Sequence, residues 1–173
     1  GLMLLLTACS TIPKDATIGG PPITRPTSTM TGVKLSRFTL GYSQQDVLNP
    51  YKTNNRMNLD LSTLLYKGLM AMDSAMTPQP ALAESLTVNG LTVTATIRPD
   101  AVFSNGGKVT AGDVKASFDK AKTSPHYAQL LRNVVSAAIS ADSVVFTLAE
   151  PDPHAQACFI FPILPQKQVE EDT

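Results

Sequence analysis

The chain has no tryptophan, only two cysteines and two histidines in 173 residues, and just 6% aromatic residues. Cys9 and Cys158 sit in very different contexts and show no metal-ligand spacing, so neither a disulfide framework nor a zinc site is written here. Lysine plus arginine and aspartate plus glutamate are 14 each, a formal net charge of zero. Without a basic stripe, or a basic patch interleaved with aromatics, nucleic-acid binding is excluded as the organising function. No apolar run approaches the roughly 20 residues of a helical membrane span. Catalytic signatures are missing as well: there is no Gly-x-Ser-x-Gly, His-Glu-x-x-His, phosphate loop or dinucleotide fingerprint. His126 and His154 stand on or beside Pro-flanked helix starts with no Ser or Cys partner near them in sequence. Gly106-Gly107 is a turn pair rather than a phosphate cradle, because no Lys-Ser/Thr follows. The chain therefore reads as a non-enzyme without a cofactor or a metal. What remains is 43% hydrophobic with scattered charge, the composition of a globular domain with a real core.

The stretch from Leu86 to Ala121 carries the clearest pattern. Leu86 and Val88 alternate with Thr87, and Leu91, Val93, Ala95 and Ile97 alternate with Thr92, Thr94 and Thr96. A period of two gives each strand one apolar and one hydroxyl face. Asn89-Gly90 between them predicts a two-residue hairpin turn of type I′, with positive φ at both residues. A second turn at Ser104-Asn105-Gly106-Gly107 leads to Thr110, whose hydroxyl predicts a helix N-cap answered three residues on by Asp113. Val114, Phe118 and Ala121 form that helix's apolar side.

In order, the pieces LYKGLMAMD, PALAES, the hairpin closing on Arg98, Phe103-Ser104-Asn105-Gly106, Thr110-Ala111-Gly112-Asp113-Val114 and SVVFTLAEPDP are spread from residue 65 to residue 153, about half of the chain. Together they resemble the bacterial extracellular solute-binding proteins of the peptide/nickel-binding family (family 5), the ligand-capturing subunits of ABC importers. The resemblance implies an α/β fold: the N-terminal part of the first lobe of a two-lobed, type II periplasmic-binding-protein-like structure, including a small hairpin-and-helix subdomain. It implies capture of oligopeptides, or of a related solute such as a nickel chelate, outside the membrane. Delivery would be to a permease and its ATPase subunits, with the binding protein itself a monomer. The other reading is a non-transport surface lipoprotein that uses the same fold as receptor, sensor or scaffold. Family members are much longer, so the 173 residues are expected to be a piece of a longer protein and to bind little alone.

Gly1 to Ala8 reads as the end of a signal-peptide apolar region, and Leu6-Thr7-Ala8-Cys9 resembles a lipobox, which makes Cys9 the expected lipidation site. Residues 10–32, rich in Pro, Thr, Ser and Gly, read as a flexible tether, and 33–173 as a partial solute-binding domain. Val33 to Tyr42 is expected to be the first strand. In the family its end borders the ligand cleft, so Tyr42, Ser43, Gln44, Asn49 and Tyr51 are the ligand-cleft candidates. Asn55 to Lys67 reads as a helix with Leu61, Leu64, Leu65 and Gly68 on its core stripe and Gly68 ending it. Then follow a short strand at Leu69 to Met72, a Pro-rich crossing from Asp73 and one helical turn at Pro80 to Glu84, with Glu84 pairing Arg98. Phe103 is expected to plug the core beneath the second turn. Ser124-Pro125 predicts another helix, buried through Tyr127, Leu130, Leu131 and Val134. Ala137 to Ser140 and Val144 to Leu148 predict a second hairpin, and His154 to Phe161 a short helix.

Overall fold

The computed structural model describes residues 39–171. Its elements run α1 (Arg56–Leu65), β1 (Met70–Met72), β2 (Pro78–Pro80), β3 (Ala83–Asn89), β4 (Thr92–Ile97), α2 (Ala111–Ala121), β5 (Val134–Ser140) and β6 (Ser143–Leu148). A 3-10 segment (Ala155–Ile160) and α3 (Gln166–Val169) close the chain. β3 to β6 make one antiparallel sheet in the order β3-β4-β6-β5, and β1 and β2 pair separately. The expected α/β class is observed.

The alternation at the first hairpin does what period two requires. Leu86, Val93, Ala95 and Ile97 are buried, while the threonines between them face the other side, where Thr87 pairs with Thr94. The turn sits one residue later than expected. Asn89 pairs with Thr92, so the two central residues are Gly90 and Leu91, and only Gly90 has positive φ, at 59°. Glycine at the first central position is the type II′ solution, which twists the strands as well as type I′ does. The second hairpin has the same form, with Ala141 taking a φ of 51° between Ser140 and Ser143.

α2 forms where its cap dictates. Thr110 accepts from the Asp113 amide, and the Asp113 carboxylate accepts the Thr110 amide at 2.9 Å, a complete capping box. Its inner face, Val114, Phe118 and Ala121, lies against β5 and β6. There Phe118 meets Phe146 edge-on at 5.3 Å, and Phe146 meets Phe159 of the 3-10 segment at 4.6 Å. Val144, Phe146 and Leu148 point inward as their alternation predicts.

Several local expectations give way to tertiary context. Residues 39–42 are not a strand, and the rest of that expected strand lies outside the described residues. The Pro-rich crossing is the second arm of a β-hairpin, with Met70 opposite Pro80 and Met72 opposite Pro78. Its turn is held by Asp73, whose carboxylate accepts the amides of Ala75 and Thr77. Residues 83 and 84, expected in a helical turn, begin β3 instead. Glu84 falls at a register shift between Ala83 and Ser85, and Arg98 pairs with Asp100 rather than Glu84. The segment after α2 makes turns rather than a helix, although Leu131 is buried and Tyr127 partly so. Gly68 does not end α1, which stops at Leu65. A Cβ there would lie 2.8 Å from the carbonyl carbon of Ile160 and from the carbonyl oxygen of Met70, so glycine is required by close backbone approach.

Candidate functional site

The candidate cleft residues lie on the segment leading into α1, and that segment is organised by polar side chains. Asp46 does the most: its Oδ1 accepts the Val47 amide at 2.8 Å, and its Oδ2 accepts the Thr53 hydroxyl and the amides of Asn54 and Asn55. These donors, the Val47 amide first, hold the Asp46 carboxyl below the usual carboxylate range. Asn55 then caps α1, accepting from the amides of Met57 and Asn58.

On the helix side the surprise is which residues are inside. Leu64 and Leu65, expected in the core, are exposed, and the buried positions of α1 are Asn58 and Ser62. Asn58 is fully buried yet bonds back to the loop. Its Oδ1 accepts the Ser43 amide at 2.7 Å, and its Nδ2 donates to the carbonyls of Ser43, Asp46 and Val47 at 3.0 to 3.1 Å. Sequence reasoning missed both Asp46 and Asn58. The available signal was an amide amid a leucine-rich helix, a residue type that does poorly in helix interiors unless its side chain has work elsewhere.

The five candidates separate into two groups. Tyr42 and Gln44 are exposed and Ser43 is half-buried, its backbone gripped by Asn58. Asn49 and Tyr51 are buried. The Asn49 amide donates to the carbonyls of Gln168 and Glu171, and its oxygen accepts the Tyr51 amide. The Tyr51 hydroxyl donates to the Pro162 carbonyl, its ring stands edge-on to Tyr127 at 5.6 Å, and burial pushes its phenol pKa up. These two side chains tie the loop to the C-terminal segment. His126 adds a further tie, its Nε2 donating to the Thr53 carbonyl at 2.7 Å. Cys9 lies outside the described residues.

A cleft of about 440 Å³ opens elsewhere, beside the turn at 104–107, bordered by Tyr66, Lys67, Arg98, Phe103 and Gln168. The Arg98 guanidinium is committed within it, donating to both oxygens of Asp100 at 2.9 and 2.7 Å. Phe103 is half-buried on this wall rather than a sealed plug. None of the five candidates lines that cleft. Among the described residues no group of His, Cys, Asp and Glu could hold a metal ion, and no helix is long and apolar enough to cross a membrane.

The model of the family described as bacterial extracellular solute-binding proteins, family 5 (middle region), matches residues 77–173. The chain belongs to this family. Family 5 proteins are extracytoplasmic, and the matched relatives are binding proteins by name. The glutathione-binding protein GsiB of Escherichia coli O1:K1 is 33% identical over 110 residues, which are 60% of this chain and 22% of GsiB. Among solved structures, the oligopeptide-binding protein AppA of Bacillus subtilis, bound to a nonapeptide, aligns with a TM-score of 0.60 at 23% identity, over 75% of this chain and 27% of that one. NikZ of Campylobacter jejuni, bound to Ni(L-His), aligns at 0.59 and 24%, over 77% and 27%. These two show the shared fold. The chain spans about a fifth of the length of the curated relatives it matches.

Proposed function

We propose that this chain is part of a solute-binding protein of an ABC importer, one that captures oligopeptides or a related small solute, such as glutathione or a nickel chelate, outside the membrane. The observation that carries this is the family match over residues 77–173, and the named relatives include a glutathione-binding protein and proteins bound to a nonapeptide and to Ni(L-His). In this reading residues 1–9 end a signal peptide, Cys9 carries the lipid anchor, 10–32 tether the folded part and 33–173 are a partial first lobe. Tyr42, Ser43 and Gln44 face the solute, with Asn49 and Tyr51 holding their loop from behind. Solute entering between two lobes shifts an open–closed equilibrium, by no more than its differential affinity for the closed form. The closed form is what a permease and its ATPase subunits receive.

The test begins with the intact mass of the native protein extracted from membranes in detergent. A diacylglycerol on Cys9 supports the anchor, and an unmodified cysteine refutes it. Calorimetric titration of the same material with glutathione, a mixture of tri- to nonapeptides and nickel–histidine then tests capture. Saturable binding of one of these supports the proposal. Binding of none, with no permease subunits co-purifying, replaces it with a receptor or scaffold role.

A further inference from the structure

The segment before α1 is fastened by side chains in a way that closing a helix does not require. Asn55 already caps α1. Asn58, whose own amide is the second of the two that Asn55 caps, spends its side chain on residues 43–47 instead of on its own helix. Ser43 is held by both its amide and its carbonyl, the pair of bonds that a neighbouring strand would give it. Asp46 grips the same loop from the other side through Val47, Thr53, Asn54 and Asn55. The backbone groups of Ser43 and Val47 and the carbonyl of Asp46 are thus met internally, while Tyr42 and Gln44 remain exposed.

We infer that Asn58 is a positioning residue for solute capture: it fixes the backbone of 43–47 so that Tyr42, Ser43 and Gln44 are presented in place before the solute arrives. This rests on the proposed function. A loop ordered in advance spares the ligand the entropy of ordering it, which is how a buried residue that touches no ligand raises affinity.

The experiment compares the full-length protein with its Asn58→Ala and Thr110→Ala variants. Thr110→Ala is the stability control, because the hydroxyl it removes bonds only Asp113, whose bond to the Gln166 amide, and with it the C-terminal segment that Asn49 reaches, is left in place. Glutathione and a tri- to pentapeptide mixture are titrated at a temperature where all forms are folded, and amide exchange is followed at 43–47. Asn58→Ala is expected to weaken the bound probe by at least about tenfold beyond the control, as three or more residues must then be ordered on binding. Exchange at 43–47 accelerates while exchange in α2 stays unchanged, and saturating probe restores protection. Asp46→Asn, at the loop surface, provides a variant that folds even if Asn58→Ala does not, and weakens binding by about threefold. Affinities of Asn58→Ala matching Thr110→Ala, or of Asp46→Asn matching wild type, overturn the inference. Failure of the wild-type protein to bind either probe is a different result: it removes the capture reading itself, and the role of Asn58 with it.

Discussion

Asp113→Ala is the substitution whose cost can be worked out most completely. The side chain is 8% exposed and its two oxygens do separate jobs. Oδ2 accepts the Thr110 amide at 2.9 Å and the Thr110 hydroxyl at 2.7 Å, closing the start of α2. Oδ1 accepts the Gln166 amide at 2.8 Å, fastening the start of α3 to the start of α2. Thr110 is exposed, so water replaces the lost carboxylate at its amide for about 0.5 kcal/mol. The Gln166 bond is charge-assisted and part-buried, worth about 1.5–3 kcal/mol when removed. Loss of a carboxylate from the first helical turn adds about 0.3–1 kcal/mol. The expected total is about 2.3–4.5 kcal/mol, a large share of the roughly 5–15 kcal/mol of a typical domain. Urea denaturation reads it as a lower midpoint at unchanged m. In a double-mutant cycle, Thr110→Ala should cost about 1 kcal/mol alone and couple to Asp113→Ala by at least about 0.5 kcal/mol. A loss below about 1 kcal/mol for Asp113→Ala, or strict additivity with Thr110→Ala, would refute the assignment of both roles to one carboxylate.

Gly68→Ala places a Cβ against backbone atoms of Ile160 and Met70 that cannot rotate aside, and should cost about 3 kcal/mol, read from thermal melts. No loss would mean that the β1 region and the 3-10 segment are not so closely apposed. Leu64→Lys and Leu65→Lys, by contrast, should change the stability of this chain by no more than about 0.5 kcal/mol, because both side chains are exposed. A loss above about 2 kcal/mol would place them back in a core. The Asp46 carboxyl is held below its ordinary 3.8, so it contributes stability that is fully present above that value and disappears as the pH falls through the lower folded-state value. Asp46→Asn should therefore flatten the acid limb of a stability–pH curve. An unchanged limb would show that its hydrogen bonds do not favour the charged form.

What the sequence made legible follows from how local the causes are. Thr110, Asp113 and the Val114–Phe118–Ala121 side needed only neighbours within two turns, and they were readable to the residue. The alternation of β3, β4 and β6 was readable because each strand buries every second residue, Leu86, Val93, Ala95, Val144 and Phe146 among them, and leaves the residues between more exposed. The turn at Gly90 escaped by one residue because Asn89 has a pairing partner, Thr92, that an Asn-Gly count does not see. Residues 124–134 carried a valid helix start, yet Val134 is committed to β5 opposite Leu148, and a strand cannot begin inside a helix. The 73–80 segment hid its hairpin because proline at 78 and 80 argues against a central strand, though not against an edge strand like β2.

The candidate site was less legible for a reason that α1 makes concrete. Leucines at helical spacing establish that a helix exists, and Arg56–Leu65 is one. They locate its inner face only when the neighbour is apolar. Here the neighbour is a loop of unpaired amides and carbonyls, and such a neighbour selects an amide side chain with both a donor and an acceptor. Asn58 supplies both to Ser43, while Leu64, with nothing to offer a backbone, is left outside. A polar loop as neighbour thus inverts the usual sorting of residues on the helix packed against it. In a sequence, a buried asparagine of this kind looks like a helix defect, and its purpose becomes visible only when the loop it serves, 43–47, is folded back against it.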